Sequence, residues 1–138
     1  EFPIGSHLMA SNDVQLILAP SCTETIRGAT RVHIGARARA MEQQIYVGVS
    51  QTIGNAEWSP AVDFNYGFAG IYASPDKTQP EEGILQQGKV QEAGWIIQKL
   101  DFKLNEKLRE EGQVFNFKDV QRQFITLNEE ISFQTFHL

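Results

Sequence analysis

A strand, a helix and a second strand follow one another between residues 14 and 53, and this order constrains the fold more than any other feature. The run over residues 14–19 is short and apolar, the pattern of a strand buried on both faces, and it stops at Pro20-Ser21. A helix is predicted from Thr25 or Gly28 to Gln44. Its apolar positions Ala29, Val32, Ala36, Ala40 and Met41 recur at helical spacing, and Arg31, Arg37, Glu42 and Gln43 are its polar members. The small residues Gly35, Ala36, Ala38 and Ala40 let such a helix lie close against a sheet. Residues 45–53 then read as a β-branched strand. Strands alternating with helices place the chain in the α/β class.

The flanking segments extend this pattern. Residues 4–12 are predicted to form a short helix with Ile4, Leu8 and Met9 facing inward. Residues 54–66 read as a loop punctuated by Gly54, Asn55, Pro60 and Asn65. A strand is expected over 67–73, a turn over 80–83 and a further strand over 94–100 through Trp95, Ile96 and Ile97. Asp101 is placed to cap a last helix over 102–111, which Gly112 stops. The tail from Gln113 onward holds Phe115, Phe117, Phe124, Phe133 and Phe136, an aromatic surface that needs burial on this chain or on a second subunit. No internal repeat, low-complexity stretch or domain boundary interrupts the chain.

Several function classes lose support from composition. At 138 residues the chain has the size of one domain, and 41% hydrophobic with 21% charged residues describes an ordinary globular protein. A net charge of −5 argues against nucleic acid and gives no reason to expect an anionic membrane surface. No apolar run approaches the roughly 18 residues of a membrane span. Nor does the start show the basic and apolar segments of a signal peptide. With Cys22 alone no intrachain disulfide can form, which suits a cytoplasmic protein. Metal ligation is not expected, because His7, His33 and His137 share no ligand spacing. Gly67-Phe68-Ala69-Gly70 is too short for a phosphate loop, and the Gly-x-Ser-x-Gly elbow of serine hydrolases is absent.

Taken in order, four segments carry a resemblance: Glu1-Phe2-Pro3, Pro20-Ser21-Cys22-Thr23-Glu24-Thr25, Gly35-Ala36-Arg37-Ala38-Arg39-Ala40-Met41-Glu42 and Trp58-Ser59-Pro60-Ala61-Val62-Asp63. Together they resemble the C-terminal half of a nitrilase-superfamily carbon–nitrogen hydrolase over residues 1–124, with 125–138 as a tail. Residues 5–11 also read like a cloning scar. However, the distance from Pro3 to Pro20-Ser21 fits the family's spacing, and the segment is taken as native. The resemblance implies half of an αββα sandwich, a mixed sheet with helices on one face and its other face packed on a second half. It also implies hydrolysis of an amide, nitrile or carbamoyl bond by a cysteine nucleophile, a glutamate base and a lysine that stabilises the oxyanion. No cofactor is implied. The nucleophile would lie just upstream of Glu1, since Glu1-Phe2-Pro3 matches only the tail of its elbow. The chain by itself is therefore expected to be inactive.

Within this resemblance Ser21, Cys22, Thr23, Glu24 and Trp58 become candidate substrate contacts. Cys22 follows a strand end, where α/β ligand sites form, and reads as a pocket-wall residue in preference to a nucleophile. Ser21, Thr23 and Thr25 are equally typical of turns and helix caps. Trp58 either stacks on substrate or holds its own loop. Arg39 and Glu42, three apart on the helix, read as a structural ion pair. The expected partners are a small amide or nitrile and either a second copy of the chain or the N-terminal half. The competing reading is a non-catalytic binding or assembly module derived from a truncated hydrolase.

Overall fold

The computed structural model describes residues 2–126, with side chains to residue 123. The elements are α1 (Pro3–Ser11), β1 (Leu16–Ser21), α2 (Ile26–Gln43), β2 (Tyr46–Gln51), β3 (Gly54–Asn55), β4 (Phe64–Asn65), β5 (Ala69–Tyr72), β6 (Ile84–Gln87), α3 (Phe102–Glu111) and α4 (Asn116–Thr126). Four strands form one mixed sheet in the order β1-β2-β5-β6. β1 and β2 are parallel, and the other two pairings are antiparallel. The parallel pair requires a crossover, and α2 supplies it.

α2 begins where Thr25, in extended backbone, accepts a hydrogen bond from the Gly28 N–H. It ends where Gln44 turns into the left-handed region at φ 48°. Ala36 and Ala40, short enough for close approach, pack with Ala10 of α1 against Val47, Val49 and Tyr72 of the sheet. Ile17, Ala19 and Ile84 border this core from the sheet, and Phe117 of α4 borders it from the helices. Burying a side chain of the size of Ile45, Val47 or Val49 contributes about 1.5–3 kcal/mol, and each alanine methyl about 0.8 kcal/mol. As predicted, Asp101 caps α3 by accepting from the Lys103 and Leu104 N–H groups.

Because side chains alternate along strands, the register Leu18–Gly48–Ile71 lies on the face opposite this core. Leu18 is 71% exposed there. So β1 is not buried on both faces, contrary to the sequence expectation. Helices cover one face, while the other forms an open trough of about 560 Å³.

Four further expectations are corrected. In α1 the buried residues are Ser6, His7 and Ala10, whereas Ile4, Leu8 and Met9 are exposed. α1 turns its small and polar side to α2, where His7 Nδ1 lies 3.3 Å from Gln43 Oε1. Met41 also faces outward, at 41% exposure. Residues 54–66 are more than a loop, since β3 and β4 form a two-stranded ribbon within them. Residues 94–100 form no strand: Trp95 and Ile97 stand in solvent, and the backbone has no sheet to join among the described residues. The strand that does follow β5 is β6, which the sequence reading passed over.

The tail folds back on the chain as far as it is described. Gln44 is fully buried; its Nε2 donates to the Leu108 and Val114 carbonyls, and its Oε1 accepts from the Phe117 N–H. The Arg109 guanidinium lies 3.9 Å over the Phe117 ring. Phe115 remains 42% exposed. The Phe124 side chain, Phe133 and Phe136 lie outside the described residues, as does the docking expected of them.

Candidate functional site

Parallel strands end side by side in this fold, and the loops leaving their carboxyl ends define the place where α/β proteins form ligand sites. Here β1 ends at Ser21 directly beside Gln51, the end of β2. The first loop runs from Cys22 to the cap of α2. The second runs from Thr52 through the β3–β4 ribbon. Between them lies a cavity of about 430 Å³ lined by Cys22, Thr52, Asn55, Trp58, Ser59 and Asn65 among others.

Backbone and side-chain bonds fix both loops. The Thr52 N–H donates to the Ser21 carbonyl (3.1 Å), and the Tyr66 N–H donates to the Thr23 carbonyl (2.6 Å). Thr23 Oγ1 returns a bond to the Tyr66 carbonyl (2.7 Å). Across the cavity floor Thr52 Oγ1 donates to Asn65 Oδ1 at 2.6 Å, and Asn65 Nδ2 donates to the Val62 carbonyl at 3.4 Å. Asn65 is buried and Thr52 is exposed, so the bond sits at the edge of the cavity, half shielded from water. The ribbon tip closes through Ala56 N–H to the Asp63 carbonyl and Ser59 N–H to the Ala56 carbonyl.

Of the five candidate residues, two meet at this cavity. Cys22 and Trp58 come together there; the thiol is exposed, and the indole is 87% exposed. Trp58 therefore does not hold its own loop by burial. Ser21 and Thr23 sit just behind the wall. Ser21 Oγ is buried without a hydrogen-bond partner, and Thr23 ties the two loops together. Glu24 is exposed beyond the cavity lining. Thr52, Asn55, Ser59 and Asn65 were not among the expected site residues, although the loop predicted over 54–66 contains all but Thr52.

The lining offers a thiol, hydroxyls, carboxamides and an indole, but no charged side chain. Such a cup suits an uncharged polar group with a flat or apolar portion set against Trp58. Among the described residues it is lined by no carboxylate or imidazole. Arg39 and Glu42 lie apart from it and form the expected ion pair, with Arg39 Nη2 2.8 Å from Glu42 Oε1. Among the described residues no group of three or more His, Cys, Asp or Glu side chains is arranged to hold a metal ion. Nor is any helix long and apolar enough to cross a membrane.

No family model matches the chain. A probable hydrolase of Bacillus subtilis, YhcX, is 32% identical over 122 residues, a match that takes in 88% of this chain and 24% of the relative. The chain thus spans about a quarter of that relative's length. Among solved structures, Nit3 of Saccharomyces cerevisiae, a member of branch 10 of the nitrilase superfamily, aligns with a TM-score of 0.54 at 20% identity. That alignment covers 79% of this chain and 36% of the yeast protein. The mixed sheet covered by helices on one face and this structural match show that the chain has one part of the fold seen in that nitrilase-superfamily protein.

Proposed function

We propose that the complete protein hydrolyses a non-peptide carbon–nitrogen bond, in an amide, nitrile or carbamoyl group, and that this chain supplies one wall of its substrate pocket. The observation that carries this reading is the uncharged cavity at the ends of β1 and β2, where Cys22 and Trp58 meet within a nitrilase-like fold. The similarity to a probable hydrolase supports it. The reaction would follow thiol chemistry: a base takes the proton of a cysteine, the thiolate attacks the carbon, and a lysine offsets the charge developing on oxygen or nitrogen. The nucleophile, glutamate and lysine belong, on this reading, to polypeptide outside the chain. Cys22 is read as a wall residue, because it stands in the strand-end segment Pro20-Ser21-Cys22-Thr23, well after the position that the resemblance gives the nucleophile. Ser21, Thr23 and Glu24 shape or border the wall, and Trp58 packs on the acyl side of the substrate. A cytoplasmic homo-oligomer is part of the same proposal.

Ammonia release from a panel of amides and nitriles tests it, using the product of the complete natural reading frame. Turnover is expected in that product. Cys22→Ser should leave kcat within a few-fold, and Trp58→Ala should raise KM. Loss of all turnover in Cys22→Ser with the fold intact would make Cys22 the nucleophile and overturn the assignment.

A further inference from the structure

Residues 94–100 combine strand chemistry with a lack of strand partners. Trp95 is 94% and Ile97 84% exposed, on the side opposite Ile96 and Leu100, which lean on their own chain. Apolar residues on both sides are the mark of a strand that is covered on both faces of a sheet. Yet no main-chain group of residues 94–100 is bonded to another main-chain group among the described residues. Apart from the Lys99 carbonyl, which accepts from Gln98 Nε2 at 3.1 Å, the segment offers a row of main-chain N–H and C=O groups, and an extended apolar segment of this kind is a template for β-pairing.

The chain's own sheet does not receive it. Its two outer strands are β1, in which Pro20 lacks an N–H, and β6, which is four residues long and ends in Gln86-Gln87. Among the described residues, a second copy would add to these edges only the two-residue strands β3 and β4 and its own residues 94–100, and pairing between two such segments is left to the concentration arm of the test. The curated relative, by contrast, carries most of its length outside the matched region, as does the solved nitrilase-superfamily protein. We infer that residues 94–100 are a donated strand, pairing main chain to main chain with a free sheet edge in the part of the complete protein encoded outside this chain. The trough over Leu18, Gly48 and Ile71 reaches the same segment through Trp95 and Ile96, so one partner sheet would cover both. The inference rests on the reading that the working protein is longer than this chain.

Hydrogen exchange read by mass spectrometry tests it, on this chain and on the product of the complete natural reading frame. In the chain alone, amides 94–100 should exchange at unprotected rates at every concentration. In the complete product they should slow by on the order of 100-fold or more. Ile97→Pro should leave the thermal midpoint of the chain unchanged, because that N–H is unbonded in it, and should lower the midpoint of the complete product. Unprotected amides in the complete product would overturn the inference. So would protection in the chain alone that rises with concentration, which would make a second copy the partner, or a reading frame that encodes nothing beyond this chain. Protection without ammonia release would sink the hydrolase reading and leave the donated strand standing.

Discussion

Replacing His33 with glutamine probes the polar knot beneath the candidate site. The ring is 5% exposed and stacks flat on Phe68, with centroids 3.6 Å apart and planes 5° from parallel. Its Nδ1 lies 2.5 Å from the Tyr72 hydroxyl and its Nε2 2.9 Å from Gln51 Oε1. Gln51 Oε1 also accepts from the Phe68 N–H, which fixes the orientation of that amide. His33 Nε2 therefore carries the proton, and Nδ1 accepts from Tyr72: the neutral ring satisfies both partners. Burial pushes the His33 pKa below its ordinary 6.5, against the opposing pull of the Gln51 bond and the Phe68 backbone. Burial also pushes the Tyr72 phenol up to about 12, with Arg37 of α2 opposing.

The direction of the pH effect follows from linkage. The unfolded chain takes up a proton at His33 near pH 6.5, and the folded chain does so only at lower pH. The stabilisation is complete above pH 6.5 and is lost as pH falls below that value, at no more than about 1.4 kcal/mol per pH unit. Urea unfolding of the parent and of His33→Gln at pH 7.5, 6.5 and 5.5 measures this. At pH 7.5 the variant should be about 1–3 kcal/mol less stable, from the broken contacts. Between pH 6.5 and 5.5 the gap should narrow, by at most about 1.4 kcal/mol, because only the parent carries this titration. Parallel loss in the two proteins, or a widening gap, would refute the buried neutral ring.

Other expectations are simpler. Gln44→Ala should cost about 2–4 kcal/mol in urea unfolding, because it strips partners from the Leu108 and Val114 carbonyls and the Phe117 N–H at once. Gly83→Ala should cost about 1–3 kcal/mol by the same assay: its φ is +67°, and an added Cβ would sit 2.6 Å from the Ala73 carbonyl oxygen. Trp58→Ala should change the stability of the chain by less than about 0.5 kcal/mol, since the indole is 87% exposed.

The unit β1–α2–β2 was legible because its signals are local. A β-branched run, small residues at helical spacing and a threonine cap each act within a few residues. β6 was hidden by its composition: Ile84-Leu85-Gln86-Gln87 shows no alternation, and it joins the sheet through its register with β5. The inward face of α1 was misread for a different reason. The side that packs on α2 is chosen by close approach and by His7–Gln43, so Ile4, Leu8 and Met9 are left outside. Residues 94–100 have the composition of a strand, but pairing depends on a partner edge, and among the described residues their main chain bonds to none. At the site, Cys22 and Trp58 were visible as residue types at strand and loop ends. The Thr52–Asn65 bond that shapes their cavity depends on the two-residue strands β3 and β4, too short to leave a periodic trace.

Peptide mapping of the covalent adduct formed when the product of the complete reading frame meets a slowly deacylating amide or ester tests the thiol mechanism most directly. An acyl thioester on a cysteine outside this chain, with Cys22 unmodified, is the predicted result. An adduct on Cys22, or none on any cysteine during turnover, would contradict it.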